Sequence, residues 1–209
     1  GIIEENLFLK NPIAAFISGS GGRMAANVVI SGNDISTSLP RGWGLDVLTA
    51  KPTVVSHNIV ANKDAGVAAG FAFKLPCASD WDRCPVTLTE KSLTFANNIA
   101  YDCKGQAFGI EGNWPLGGSG IIERNQFRQF DATQYLVSIQ NQPEPFAGFT
   151  FANNAYFNDP SAAGWFRLGS KSYGFDAWAT LVNEVGSTAT APSFPDPERT
   201  IESYQQSLG

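Results

Sequence analysis

An all-β fold, in which the chain winds repeatedly through the same short strands, is predicted for these 209 residues. Three observations carry the prediction: an apolar strand ending at an Asn that recurs six times, a Gly-led apolar strand that follows most copies, and a tail from about residue 171 that drops both patterns. Self-similarity at a fixed interval marks repeat architectures, so the repeat is read before any single motif.

The Asn element occurs as IIEENLFL around Asn6, VVISGNDIS around Asn33, VVSHNIVAN around Asn58, LTFANNIAYD around Asn98, IIERNQFRQFD around Asn125 and FTFANNAYFND around Asn154. Successive asparagines are 27, 25, 40, 27 and 29 residues apart, and the long interval holds one insertion, LPCASDWDRCPVT. The second element occurs as IAAFISG, GWGLDVLTA, GVAAGFAFKL, GQAFGIEGN, TQYLVSIQN and GWFRLG. These segments are rich in β-branched and aromatic residues, alternate with period two and end at Gly, Asn, Asp, Ser or Pro, as short strands between tight turns do. A repeat of this length holds about three strands, and winding it three-sided sets each strand beside its counterpart one repeat later. The predicted fold is therefore a parallel β-helix over residues 1–170.

The recurring Asn has a physical reason. A sharp corner needs left-handed backbone angles, which Asn tolerates, and an inward Asn stacked on the next one can satisfy buried turn amides along the axis. Beyond residue 171 the spacing changes: Phe175, Trp178, Ala179 and Val182 in YGFDAWATLVNEV fall at helical intervals with Asp176 near the start. A second short helix is expected over 200–208, with the Pro-punctuated APSFPDPERT running extended between the two. Residues 171–209 are thus expected to cap the open end of the repeats. The N-terminal end has no cap candidate, which fits a contact with another copy or a further domain there. The chain begins at Gly1 without an initiator Met or signal core, as a fragment or processed form would.

Composition excludes several classes. Hydrophobic residues make up 43% and charged residues 16%, so a packed core rather than disorder is expected. Fourteen Lys and Arg stand against nineteen Asp and Glu, a net charge of −5 with no basic cluster, which argues against a nucleic-acid partner. No apolar run is long enough for a membrane span. Three Cys and one His give no zinc-type spacing. Cys77 and Cys84 frame the insertion at a spacing that a disulfide could close in an extracytoplasmic protein, while Cys103 reads as a small buried residue. His57, beside a corner Asn, is expected to serve a turn rather than catalysis.

The Asn corners followed by Gly-led apolar strands resemble the right-handed parallel β-helix repeats of the pectate-lyase-like superfamily, over about residues 2 to 170. The FDAWATLV helix and the APSFPDP segment are similar to the C-terminal ends of secreted bacterial β-helix proteins. The resemblance implies an extracellular or cell-surface protein whose partner is a polysaccharide or oligosaccharide lying along one sheet. It implies polysaccharide-lyase or glycoside-hydrolase chemistry where the groove is catalytic.

Aligning that sheet with the Gly-led strands, and assigning Leu45, Val47, Phe71, Phe73, Phe108, Ile110, Val137 and Ile139 to the core, leaves Asp46, Lys74, Glu111, Ser138, Gln140 and Arg167 expected on the solvent side. Asp46, Lys74, Glu111 and Arg167 form the acid/base set: Lys74 or Arg167 would abstract a proton or stabilise charge, and the carboxylates would donate a proton or bind a cation. Lyases of the superfamily hold Ca2+ through clustered carboxylates. Here the carboxylates sit singly on separated repeats, so no cofactor is expected, Ca2+ being the one the resemblance would supply. Trp81 with Asp82 and Arg83, Trp114, and Trp43 with Gln140 are the expected sugar contacts, because aromatic faces stack on sugar rings while polar neighbours take the hydroxyls. Two readings stay open from sequence: a protein that binds or processes polysaccharide, and a non-catalytic, adhesin-like surface solenoid.

Overall fold

The computed structural model of the chain describes residues 2–5, 7–9, 13–19, 22–25, 28–31, 42–49, 52–62, 67–74, 92–103, 105–111, 119–140 and 148–191. Successive strands enter three sheets in turn, so that each strand pairs with the one three places further along the chain. The first sheet holds Ile2–Glu4, Gly22–Ala25, Thr53–Ser56, Ser92–Ala96, Ser119–Glu123 and Phe149–Ala152. The second holds Leu7–Leu9, Val28–Ser31, Ile59–Asn62, Ile99–Tyr101, Gln126–Arg128 and Ala155–Phe157. The third holds Ile13–Gly19, Gly42–Thr49, Val67–Lys74, Gln106–Glu111, Val137–Ile139 and Phe166–Leu168, and Lys171–Tyr173 closes it as an antiparallel partner. All other strand pairs among the described residues are parallel. The chain is thus mostly strand in parallel sheets, with one short helix.

Period-two alternation sends one row of each sheet into a shared core. In the first sheet Val55, Phe95, Ile122 and Phe151 are in register and fully buried. Val60, Ala100, Phe127 and Tyr156 do the same in the second. In the third, Leu45, Phe108, Val137 and Phe166 are buried along one row that also contains Phe71. Aromatic rings meet across the interior: Phe127 stacks on Tyr156 at 5.4 Å and Phe95 lies 4.7 Å from Phe108. Each such ring contributes about 1.5–3 kcal/mol on burial. Cys103 joins this core, as the sequence suggested; burial, with the Asp102 charge beside it, pushes its thiol well above the usual range.

The corner between the first and second sheets divides the work of the repeated Asn between two residues. The left-handed angle falls on the preceding residue: His57 (φ 57°), Asn97 (57°), Arg124 (53°) and Asn153 (55°). The Asn itself is buried and bonds along the stack, as Asn58, Asn98, Asn125 and Asn154 do. Asn58 donates through both its main-chain N–H and Nδ2 to Asn98 Oδ1 (both 3.0 Å); Asn98 repeats this to Asn125 Oδ1 (2.9 and 3.1 Å), and Asn125 to Asn154 Oδ1 (2.9 and 3.0 Å). The second Nδ2 proton goes to a strand carbonyl one cycle earlier, Val55 for Asn98, Phe95 for Asn125 and Ile122 for Asn154. Asn6 and Asn33 lie outside the described residues. Val28–Ser31, the strand before Asn33, runs in the second sheet and not the first, so the corner of that cycle falls between Gly22–Ala25 and Val28–Ser31, and the expectation of a corner at Asn33 is one strand too late. His57 contributes to its turn through its main chain, whose N–H donates to Ala96 O, while its side chain is exposed.

The stack ends in a segment that imitates one more corner without an Asn. Val185 bridges Ala152 and Thr188 bridges Ala155, so Gly186 (φ 74°) takes the left-handed position beside Asn153. Ser187 takes the place of the next Asn: its Oγ accepts the Asn154 N–H at 2.8 Å. Glu184 Oε1 accepts from Asn154 Nδ2 (3.0 Å), Tyr156 Oη (2.9 Å) and Ser187 Oγ (2.5 Å). A side chain at Gly186 would collide with the Asn153 amide, so both its conformation and its space require glycine.

The predicted helix forms over Phe175–Val182, with extended Gly174 before it and left-handed Asn183 after it. Glu184 N–H donates to Ala179 O, closing the last turn. Its buried face delivers Trp178, which stacks on Phe166 at 4.9 Å and meets Phe151 edge-on at 5.4 Å. The helix thereby covers the last strands of the first and third sheets. The helix expected over 200–208 lies outside the described residues.

Candidate functional site

The third sheet is where the sequence placed chemistry, and its register is fixed by the core row. Leu45 opposite Phe71, Phe71 opposite Phe108, Phe108 opposite Val137 and Val137 opposite Phe166 form one row, and the positions one and three residues further along form two more. One row runs Asp46, Ala72, Gly109, Ser138, Arg167. The other sets Lys74 opposite Glu111 and continues to Gln140, whose N–H donates to Ile110 O at 2.9 Å.

The four candidate acid/base residues therefore do not share one point. Lys74 and Glu111 occupy facing positions on adjacent strands. Asp46 lies one strand from Lys74 but two residues upstream in register, since Leu48 is the residue opposite Lys74. Arg167 lies four strand steps from Asp46, about 19 Å at the usual strand spacing. The register thus divides the four between two rows, Asp46 and Arg167 in one, Lys74 and Glu111 in the other.

Ser138 corrects a second expectation. Counted by alternation among solvent-facing residues, it is fully buried, and its hydroxyl makes no hydrogen bond. Gln140 is half-buried. Arg167, also half-buried, donates from Nε to Gly169 O at 2.9 Å and lays its guanidinium 6.0 Å from the Tyr135 ring. Tyr135 Oη and Ser172 Oγ are 2.9 Å apart, and Ser172 is opposite Arg167 on the closing antiparallel strand. Trp43 pairs through its main chain with Ile13 and Ala69, at the start of the same strand as Asp46. Trp81, Asp82, Arg83 and Trp114 lie outside the described residues, as do Cys77 and Cys84.

The loops that feed the third sheet are themselves repeated. Asp131 Oδ1 accepts Thr133 N (2.9 Å) and Oγ1 (2.6 Å), and Asp159 Oδ1 accepts Ser161 N (2.8 Å) and Oγ (2.5 Å). The two hydrogen bonds from Ser161 hold the Asp159 carboxyl below its ordinary range. Both turns tie the chain down immediately before the strands that carry Ser138 and Arg167.

A cluster on the second sheet escaped the sequence reading. Arg128 is in register between Tyr101 and Phe157, with its guanidinium 5.5 Å from each ring and 4.6 Å from Phe130. Each of the three stacked residues stands three places after its corner Asn, a periodic signal that alignment on the asparagines would have revealed. Among the described residues no group of three or more His, Cys, Asp or Glu is placed to hold a metal ion. No helix among them is long and apolar enough to cross a membrane.

No protein-family profile matches the chain, and neither a curated protein nor a solved structure does.

Proposed function

We propose that this chain is a right-handed parallel β-helix of the pectate-lyase-like kind, secreted or displayed at the cell surface, which binds polysaccharide along the outer face of its third sheet. In this reading residues 1–170 form the coils and 171–209 the cap. Three parallel sheets visited in strict rotation, and four in-register buried asparagines, support the coil.

The observation that carries the functional reading is the pair of rows that alternate with the core row on the third sheet. They set Lys74 opposite Glu111 in register with Gln140 beyond, and at the last parallel strand place half-buried Arg167 opposite Ser172, whose hydroxyl meets that of Tyr135. A linear polymer with repeated hydroxyl or carboxylate groups is the ligand such a face suits. The roughly 19 Å spread of Asp46, Lys74, Glu111 and Arg167 favours binding over acid/base catalysis at one centre. That spread is also what favours the second reading, a non-catalytic adhesin-like solenoid.

Incubation with pectate, alginate and neutral glycans separates the cases. A lyase generates the absorbance of an unsaturated uronate, a hydrolase new reducing ends, and a binder neither, while retaining the glycan on an array. A blank array together with a blank activity panel at millimolar ligand ends the carbohydrate reading and leaves the adhesin-like one. Replacing Trp81 and Trp114 by Ala weakens glycan retention without lowering the melting temperature; a large loss of stability would instead assign both to packing.

A further inference from the structure

We propose that the segment Val185–Thr188 holds the place of Glu4–Leu7 of a second copy, and that displacing it lets copies of this chain join end to end. The proposal goes beyond the polysaccharide reading and rests on the strand register alone.

Along the first sheet Glu4, Ala25, Ser56, Ala96, Glu123 and Ala152 pair in succession, and Val185 is the next member of that row. Along the second sheet Leu7, Val28, Ile59, Ile99, Gln126 and Ala155 do the same, and Thr188 follows. The two rows thus start and finish on matching corners. Left-handed Glu5 (φ 55°) stands between Glu4 and Leu7, and left-handed Gly186 (φ 74°) between Val185 and Thr188. The tail also takes the bonds of a full cycle: Asn153 N–H donates to Val185 O (2.8 Å) and Tyr156 N–H to Thr188 O (2.9 Å), as Arg124 N–H donates to Ala152 O (3.0 Å) one cycle earlier. It takes them through one bridging residue per sheet, and Val185 is 67% exposed. Ile2–Glu4 and Leu7–Leu9, by contrast, each pair over three residues with the strand of the following cycle. Both stand last in their sheets among the described residues. Where the tail reads Val-Gly-Ser-Thr, residues 4–7 read Glu-Glu-Asn-Leu, so a second copy brings the Asn that the tail lacks. An edge strand is a template for the matching strand of another copy, and contact between opposite ends of one chain propagates into a filament. Antiparallel Lys171–Tyr173 closes the third sheet and the helix sets Trp178 against Phe151 and Phe166, so the whole of 171–188 must lift before a complete second copy seats. The tail therefore limits the association that the register permits.

The test uses the whole chain and a peptide of its residues 1–10, which matches the displaced segment without reaching the third sheet. The amide resonances of Asn153, Asn154 and Tyr156 are followed by NMR as peptide is added to the wild-type chain and to Gly186→Val, whose side chain collides with the Asn153 amide. The expected result is a saturable shift of all three in the wild-type chain at millimolar peptide, with binding at least tenfold tighter to Gly186→Val. Further along the Leu7 row, Ile99 N–H donates to Asn58 O (2.8 Å) and Ala155 N–H to Asn125 O (2.9 Å), each in the cycle before, so the Leu7 N–H is a donor to the docked end. A peptide carrying Leu7→Pro should therefore not bind. Sedimentation of full-length Gly186→Val should show concentration-dependent association that added Leu7→Pro removes. In the Gly186→Val background, a short thiol crosslinker should join Glu4→Cys to Ala152→Cys and neither variant to itself. Crosslinking of Glu4→Cys to itself means that like ends meet, and overturns the head-to-tail arrangement. Association indifferent to Leu7→Pro belongs to another surface and overturns the proposal as well. Wild-type resonances unmoved by the peptide overturn it outright, whether or not the variants fold, and leave the polysaccharide reading untouched.

Discussion

Asn58 and Asn98, 40 residues apart in sequence, are joined by two hydrogen bonds of 3.0 Å that converge on one atom, Asn98 Oδ1. One comes from the backbone of the corner and the other from its side chain, so a single amide oxygen fixes both the turn and the stacking of successive cycles. Because the same arrangement repeats at Asn125 and Asn154, these side chains are predicted to matter more than any surface contact.

Asn125→Ala removes the acceptor used by the Asn98 main chain and side chain, and the donor used by Asn154 Oδ1 and Phe95 O. Several buried groups lose partners at once, and the expected loss is about 3–5 kcal/mol of unfolding free energy. Urea denaturation followed by circular dichroism checks it, with exposed Thr150→Ala as the neutral control.

Ser187→Ala leaves the Asn154 N–H without the hydroxyl that ends the stack. The cost expected is about 1–3 kcal/mol, with recovery in Ser187→Thr, which keeps the acceptor. Hydrogen exchange should locate the loss at the last corner, with the Asn154 amide exposed ahead of those of Asn98 and Asn125.

At Gly120, packed between Leu93 and Phe149, an added Cβ would overlap the Phe149 ring. Gly120→Ala is therefore predicted to destabilise by about 1–3 kcal/mol through overpacking. In the Phe149→Leu background the same substitution should cost measurably less, and a double-mutant cycle by thermal or urea unfolding gives the coupling.

The pH dependence follows from Cys103 and Tyr156. Burial raises both above their ordinary ranges, Asp102 adding to the first and Glu184 to the second. Each folded group keeps its proton where the unfolded one loses it, so this stability is intact below the unfolded pKa and is lost as pH rises towards the folded one. From about pH 8.5 the thiol should remove about 1.4 kcal/mol per pH unit, with Tyr156 joining from about pH 10. Unfolding free energies between pH 7 and 10 should fall less steeply in Cys103→Ala. The native thiol should also resist alkylation until the chain unfolds.

Much of the fold was legible because one physical requirement recurs. A buried polar corner needs the same amide at the same place each time, and Asn58, Asn98, Asn125 and Asn154 announce it in sequence. The terminating corner was not legible, since Gly186 and Ser187 meet the same two requirements, a left-handed angle and a buried acceptor, with other residues. The helix was legible from Trp178 and Val182, which are its two buried residues.

The candidate site was less so. Alternation places Ser138 on the outer side, but not under cover, since what buries a residue comes from elsewhere in the chain. It also could not align Asp46 with Lys74, because the register between their strands sets Leu45 opposite Phe71, Asp46 opposite Ala72 and Leu48 opposite Lys74. The setting of Arg128 between Tyr101 and Phe157 is legible only through their shared place three residues after a corner Asn, because the three come from separate cycles.

The claim on which the rest depends is the continuous column of asparagine side chains, and NMR of their Nδ2 protons reads it directly. The prediction is that Asn58, Asn98 and Asn125 each show slowly exchanging side-chain amide protons with cross-peaks to the next asparagine in the column, and Asn154 to Glu184 or Ser187. Fast-exchanging, overlapped amides at these positions, or cross-peaks to residues outside the column, would contradict it.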